Sequence, residues 1–340
     1  MPLRIYITKD FGQVSYVASV LAEQRIQKVQ AAKSECVLGL ATGSSPTGLY
    51  KYLAKSFNAK RIDPSRIRSF NLDEYVGLPG ANAQQRALHC QSYSYFMMTE
   101  FFGLMPEKFA ETSVPYGLLI DQVALEEALD YAPHQYTLRG SSHGKAVVIA
   151  KEATGVLASI REDVLDSYHR HITHVGGIDL QIIGIGGQGH VAFHESGIPF
   201  DGSQVLLVKL DDNTIDNAVA DGHFPSRKES PHYAVTMSAE LVFEAKSVML
   251  LGNGARKTKP MAASLLGEVT PEVPVSYVQR YVEQGGDMTF ILDEIAAAEL
   301  LQHKDILQKK GYEIIDVRGE TYPQLSDVTF AYDATTGMLC

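Results

Sequence analysis

The chain has 340 residues, of which 45% are hydrophobic and 21% charged. That is enough to bury one large α/β core or two smaller ones, and it excludes a disordered or low-complexity chain. A net charge of −10 without any Lys/Arg cluster excludes a nucleic-acid partner on electrostatic grounds, and no apolar run approaches the about 20 residues that span a membrane.

Taken in order, Leu3–Thr8 reads as a strand, and Asp10 caps a helix running to about Lys33, with Val14, Val17, Leu21 and Ile26 near helical spacing. Cys36–Ala41 is a second apolar strand. It opens into Thr42-Gly43-Ser44-Ser45-Pro46-Thr47-Gly48, followed by a helix from about Leu49 to Lys55. Uncovered amides, a Pro preset for a first helical turn and a helix N-terminus suit an anion. The alternative is a plain strand-to-helix turn with Ser capping, and the GK[ST] ending of a P-loop is missing.

Ile67–Asn71 is the next strand, ending in Asn71-Leu72-Asp73-Glu74-Tyr75. Two adjacent carboxylates at a strand end suit proton transfer, or they are solvated loop charges or caps. Ala81–Leu88 reads as a loop insertion, Ser92–Phe102 as an aromatic-rich core helix, Leu118–Tyr131 as another helix, and Pro133–Gly144 as a surface loop. Lys145–Ala150 is a short strand and Val156–Tyr168 an amphipathic helix. The run His169-Arg170-His171-Ile172-Thr173-His174 reads as a solvated helix end, not a metal site, because no Cys or carboxylate accompanies it.

Asp179–Ile183 then leads as a buried strand into Gly184-Ile185-Gly186-Gly187-Gln188-Gly189-His190-Val191-Ala192-Phe193-His194-Glu195. Glycines at a strand end let backbone approach a small ligand, and a His and a Glu five residues apart make an acid/base pair. A HExxH zinc pattern is absent, because Glu195 follows His194. Further strands are Val205–Leu210, Tyr233–Met237, Ser247–Leu251 and Thr289–Leu292. Asp211–Ser230 reads as a mobile loop, Gly252–Lys257 as a glycine turn carrying a cation, Ile295–His303 as a helix, and Tyr312–Cys340 as a strand or cover.

Cys36, Cys90 and Cys340 are far apart, so no disulfide framework is read, and Met1–Ile5 lacks an apolar signal core. A reduced, cytoplasmic protein is expected. Alternating strands and helices predict an α/β, Rossmann-like fold with a largely parallel sheet and helices on both faces. No repeat or linker divides the chain, so a single domain over 1–340 is expected, with insertions at about 81–88 and 117–155 and a C-terminal extension at about 312–340. Ligands of such sheets sit beyond the carboxyl ends of the strands. The turn at Gly43, the carboxylate of Asp73, the loop Gln188–Glu195 and Lys257 all fall there, which suits a phosphorylated small molecule undergoing proton transfer.

Ala41-Thr42-Gly43-Ser44-Ser45-Pro46, Phe70-Asn71-Leu72-Asp73-Glu74-Tyr75-Val76-Gly77-Leu78-Pro79, the run Gly184–Glu195 and the segment around Lys257 resemble the glucosamine-6-phosphate deaminase (isomerase) family. Ser92-Tyr93, Pro231–Thr236 and Asp293-Glu294 match in the same order, so the resemblance covers most of residues 1–300. It implies conversion of glucosamine 6-phosphate, or a close analogue, to fructose 6-phosphate and ammonia. On that resemblance Asp73 is the base that moves a proton from C2 to C1, and His190 acts on the ring oxygen. Glu195 orients His190, and Thr42, Gly43, Ser44 and Ser45 hold the 6-phosphate with Lys257. No metal or organic cofactor is called for, and a homo-oligomer is compatible with the resemblance.

The chain departs from the family pattern at Gln188, often Asp, which here can hydrogen-bond His190 or substrate but cannot be a base. It departs again at His194 for Asn, at Ser196 for Pro, and at Ser203-Gln204-Val205-Leu206 for Ser-Arg-Thr-Arg. No Arg-Phe-Phe counterpart stands around Asn213–Phe224, which leaves Arg139, Arg227 and Lys228 as substitutes. The alternatives are a 6-phosphogluconolactonase, which needs no enolising carboxylate; an isomerase of another sugar phosphate; and a non-catalytic sugar-phosphate sensor.

Overall fold

A computed structural model describes residues 3–333, 335 and 338–339. Met1, Pro2, Cys340 and part of the expected C-terminal extension lie outside the described residues.

Thirteen strands in chain order carry the fold: β1 Arg4–Thr8, β2 Cys36–Leu40, β3 Ile67–Asn71, β4 Asp73–Val76, β5 Glu111–Ser113, β6 Tyr136–Arg139, β7 Lys145–Ile149, β8 Leu180–Ile183, β9 Val205–Lys209, β10 Tyr233–Met237, β11 Ser247–Gly252, β12 Asp287–Asp293 and β13 Glu313–Asp316. Eight of them form one sheet in the order β13-β1-β12-β11-β8-β2-β3-β5, and every neighbouring pair in it is parallel. Successive residues of its strands enter opposite cores, as a sheet covered on both faces requires. Leu38, Leu40, Ile182, Met249 and Leu251 pack with helix α1, Phe11–Ala32, and helix α2, Thr47–Asn58. Val37, Ile183, Val248 and Leu250 pack on the other face with Leu157, Val164, Tyr168, Met261 and Leu265.

The predicted α/β sheet is therefore present, but a second sheet accompanies it. Its order is β4-β10-β9-β7-β6 and all its pairs are antiparallel. The two sheets meet at Leu72. Its N–H donates to Leu40 O of the first sheet at 3.1 Å, and its carbonyl accepts from Met237 N of the second at 2.8 Å. Asp73 is consequently the first residue of the second sheet.

Several local expectations are corrected. The stretch read as a surface loop at Pro133–Gly144 contains β6, whose pairing with β7 makes a hairpin. The supposed mobile loop Asp211–Ser230 begins with a helix, Asp212–Ala220, because Asp211 accepts the N–H of Asn213 and caps it. The Ala81–Leu88 stretch holds a short helix, Ala83–Ala87, and the Leu118–Tyr131 helix starts only at Gln122. Val156–Tyr168 is part of a longer helical run over 155–174 with a π-helical stretch, Ile160–Asp166, so the histidines occupy its last turns. Nor is that end wholly solvated: His171 Nε2 lies 2.8 Å from Glu111 Oε1, and its ring meets Phe70 edge-on at 4.9 Å. The tail is both strand and cover. After β13 on the sheet edge it crosses α1 and α2, where Tyr322 donates to Asp10 at 2.7 Å and Tyr52 donates to Pro323 O at 2.6 Å.

Two buried aspartates fasten the amino edge of the parallel sheet. Asp179 accepts from Val37 N at 2.8 Å and pairs with Lys33 and Lys246. Asp287, 5% exposed, pairs with Arg4 and Arg25 and accepts from Ser247 Oγ at 3.1 Å. It thereby joins β1, α1, β11 and β12. Removing one member of such a buried pair strands the other charges. Asp287→Ala is expected to lower the unfolding free energy by roughly 3 kcal/mol, read from urea unfolding; a loss within error would show that solvent already screens the cluster.

Candidate active site

Because β11, β8, β2 and β3 are adjacent and parallel, the loops that follow them crowd one edge of the sheet. The segments that follow them carry Lys257, Gly186–Glu195, Thr42–Ser45 and, as the first residue of β4, Asp73, so the structure brings the residues picked from the sequence to a common edge.

The two neighbouring carboxylates have different fates. Both are buried, not solvated loop charges. Glu74 accepts N–H bonds from Tyr75 at 2.9 Å, Tyr93 at 3.0 Å and Ser94 at 3.0 Å, and the Ser94 hydroxyl at 3.1 Å. It caps the start of the helix Tyr93–Glu100 and holds β4 to it, a structural task. Burial pushes it up to about 7 against the pull of those donors. Asp73 Oδ1, by contrast, finds no protein partner among the described residues. Burial, and then the neighbouring Glu74, raise its carboxyl well above the ordinary range. A buried carboxyl that holds its proton more readily than usual and keeps an unpartnered oxygen is a candidate for taking and returning a proton.

The His/Glu loop is shaped by backbone that few side chains tolerate. A Cβ on Gly186 would lie 1.9 Å from His190 Nε2, so the imidazole rests directly on the glycine. Ala192 has φ of 52°, a left-handed residue between the bridged pair Val191 and His194. The reversal turns Glu195 back toward His190, whose Nδ1 lies 3.5 Å from Glu195 Oε2. The Glu195 side chain is 1% exposed and that of His190 22%, so the imidazole is the member that reaches solvent.

Thr236 links this loop to Asp73. It stands opposite Asp73 in the β4–β10 register, so the two side chains share a face. Its hydroxyl accepts the N–H of Phe193 at 3.1 Å. The Phe193 ring packs on Tyr75 at 5.2 Å and stacks on Tyr93 at 5.9 Å. Thr236, Tyr75 and Phe193 were not singled out from the sequence as site residues; alternation along Tyr233–Met237 was the signal that could have placed Thr236 opposite a partner strand.

At the phosphate-like turn, Gly43 has φ of 85° and, with Ser44, is exposed, while Thr42 and Ser45 are half-buried. No side chain caps α2, whose N-cap residue is Pro46; the Ser-capping alternative is not what the turn does. Gly254, with φ of 81°, donates to Asp293 at 2.9 Å and so fixes the turn after β11. Lys257 is half-buried, donates to Ile185 O at the end of β8, and has its pKa lowered by burial and then by Arg256. Gln188 is exposed on its turn. The cations proposed to replace the missing arginines are engaged elsewhere in part: Arg139 pairs with Asp201, and Arg227 with Asp216. A separate cavity of about 530 Å³, lined among others by Lys151, Arg161, His169 and Gln204, shares no residue with this edge. Among the described residues no three of His, Cys, Asp and Glu gather as a metal site would need.

His194 is a structural imidazole. Nδ1 accepts the N–H of Ala239 at 2.9 Å, which leaves Nε2 as the donor to Ile198 O at 3.0 Å. Burial holds its pKa below the ordinary value. The folded state therefore prefers the neutral ring, and stability is fully present above about pH 6.5 and falls as pH drops from there toward the folded pKa. His194→Asn keeps an acceptor for Ala239 and is expected to flatten that part of the pH–stability curve; an unchanged slope would assign it to another group. Gly186→Ala displaces His190 and is expected to reduce kcat on the order of 100-fold, measured beside an unfolding curve close to that of the parent protein.

Residues 135–287 match the family model described as glucosamine-6-phosphate isomerases/6-phosphogluconolactonase. A glucosamine-6-phosphate deaminase of Clostridium botulinum (strain Alaska E43 / Type E3) is 32% identical over 89% of this chain and 98% of its own. One from Clostridium novyi (strain NT) is 32% identical over 88% and 100%. Among solved structures, a monomeric glucosamine-6-phosphate deaminase superposes with a TM-score of 0.65 at 24% identity, covering 88% of this chain and all of that one. A 6-phosphogluconolactonase from Trypanosoma cruzi gives 0.56 at 20%, covering 88% and 97%. These two share the fold. Identity at this level over nearly the whole length of the Clostridium relatives is the stronger finding: the chain belongs to the glucosamine-6-phosphate isomerase/6-phosphogluconolactonase family.

Proposed function

We propose that the chain is an amino-sugar-phosphate deaminating isomerase, converting glucosamine 6-phosphate and water to fructose 6-phosphate and ammonia. One observation carries the reading: the carboxyl of Asp73 is buried, raised in pKa and unpartnered at one oxygen, on the edge where His190 faces Glu195. The name borne by the Clostridium relatives supports it. So does the placement of an uncapped α2 N-terminus and Lys257 on the same edge, where amides and an ammonium would hold the 6-phosphate.

In this mechanism His190 moves the proton of the ring oxygen, and Glu195 steadies the imidazolium that forms. Asp73 then removes the C2 proton of the open-chain aldose and returns it to C1. The enolamine becomes a ketimine at C2, and water cleaves it to ketone and ammonia. Gln188 hydrogen-bonds His190 or the sugar. A lactonase has no carbon acid to deprotonate, so a buried carboxyl with a raised pKa favours the isomerase. Among the described residues no helix is long and apolar enough to cross a membrane, and the reading places the reaction in the cytoplasm.

The assay is ammonia and fructose 6-phosphate release from glucosamine 6-phosphate. Asp73→Asn is expected to cut kcat by about 10²- to 10⁴-fold while glucitol 6-phosphate still binds. Full activity in that variant would remove Asp73 as the base. Hydrolysis of 6-phosphogluconolactone without ammonia from the amino sugar would move the chain to the lactonase reading.

A further inference from the structure

Glu195 has little of its own to hold it. Its Oε1 receives one N–H, that of Asp211 at 3.3 Å, and its Oε2 faces His190 Nδ1 at 3.5 Å. Among the described residues it is the one carboxylate in ion-pair reach of His190, and the side chain at 188 is an amide that cannot share the charge. Where this carboxylate sits therefore decides how well an imidazolium at 190 is stabilised.

We propose that the tip of the β6–β7 hairpin, acting through Gly144 and Asp211, sets that position; both are positioning residues for His190 and Glu195, and the proposal rests on the roles given to that pair under the proposed function. The Glu195 stem passes directly beneath Gly144. A Cβ at 144 would stand 2.7 Å from Glu195 Cβ and 3.0 Å from its Cγ, so only a glycine leaves the carboxylate where it is. Asp211, 4% exposed, is locked on both oxygens. Oδ1 accepts the N–H and the side-chain amide of Asn213, each at 2.9 Å, and Oδ2 accepts the N–H of Gly144 at 3.0 Å. One line of contacts thus runs from the hairpin tip to the Asp211 carboxylate, from its N–H to Glu195, and from Glu195 to His190.

The tip itself is docked. Ser141 N donates to Gly197 O at 3.0 Å and Ser142 Oγ donates to Ser196 O, the two residues that follow Glu195. On their other side Gly197 N donates to Pro271 O at 2.8 Å and Ser196 Oγ to Glu272 O at 2.8 Å. The segment after Glu195 is gripped between hairpin and the 271–272 turn, and a tip that only covered the surface would have no reason to bond both the catalytic loop and Asp211.

The test is a double-mutant cycle on ammonia release, with unfolding curves for each protein. Gly144→Ala is expected to lower kcat on the order of 10- to 100-fold with KM changed less than about twofold. In a Glu195→Gln background it should cause almost no further loss, because both act through the same carboxylate. Multiplicative losses in the double variant, or wild-type kcat in Gly144→Ala, would overturn the proposal. If Gly144→Ala does not fold, Ser142→Ala, which removes one of the tip's two bonds to the segment after Glu195, takes its place in the same cycle: a kcat loss that vanishes in the Glu195→Gln background is expected, and multiplicative losses or wild-type kcat overturn the proposal. Wild-type kcat in Glu195→Gln alone would instead defeat the role given to Glu195, whereas loss in Glu195→Gln beside full activity in both tip variants defeats only the hairpin proposal.

Discussion

Four strands, β11, β8, β2 and β3, lie side by side and point the same way, and the candidate site depends on that alignment. A parallel strand must be followed by a connection that leaves the sheet at its carboxyl end, so four successive connections are forced to one rim. The opposite rim bears the cost of keeping the strands in step. There Asp179 and Asp287 gather cations from α1 and from strand starts, burying charge to fix register. The candidate site lies at one rim and the buried ion pairs at the other.

The second sheet gives the rim its walls. β10 presents Thr236 between Asp73 and Phe193, and the aromatic contacts of Phe193 with Tyr75 and Tyr93 bring the His190 loop against β4. Within two residues of sequence the fold makes opposite use of the same functional group. Glu74 is saturated with donors at a helix start and serves as a fastener, while Asp73 is left one oxygen short. Burial raises both, but only Asp73 keeps an oxygen without a protein partner among the described residues.

Much of this was legible in the residues. Strong apolar runs such as Cys36–Ala41 and Ser247–Leu251 are strands buried on both faces, and glycines at their ends mark where loops begin. What escaped was structure whose signal is tertiary. β4 carries Asp-Glu-Tyr-Val, a polar start that reads as a loop until β10 pairs with it. β6 has three exposed residues of four, so no inward face betrays it. Asp211-Asp212-Asn213 before Ile215 was a capping signal for the helix Asp212–Ala220, outweighed by the Gly222 and Pro225 that follow. The standing of Asp73 over Glu74 could not come from spacing at all, since it depends on which carboxylate the helix at Tyr93 reaches.

Leu72 has a mechanical side. One peptide segment belongs to two ladders there, so neither sheet can slide on the other without tearing a bond at that joint. Asp73, the next residue, enters the second ladder opposite Thr236. The turns at Gly43-Ser44 and Gly187-Gln188, by contrast, are exposed. The joint therefore fixes where the buried carboxyl of Asp73 stands relative to the strand ends of the first sheet.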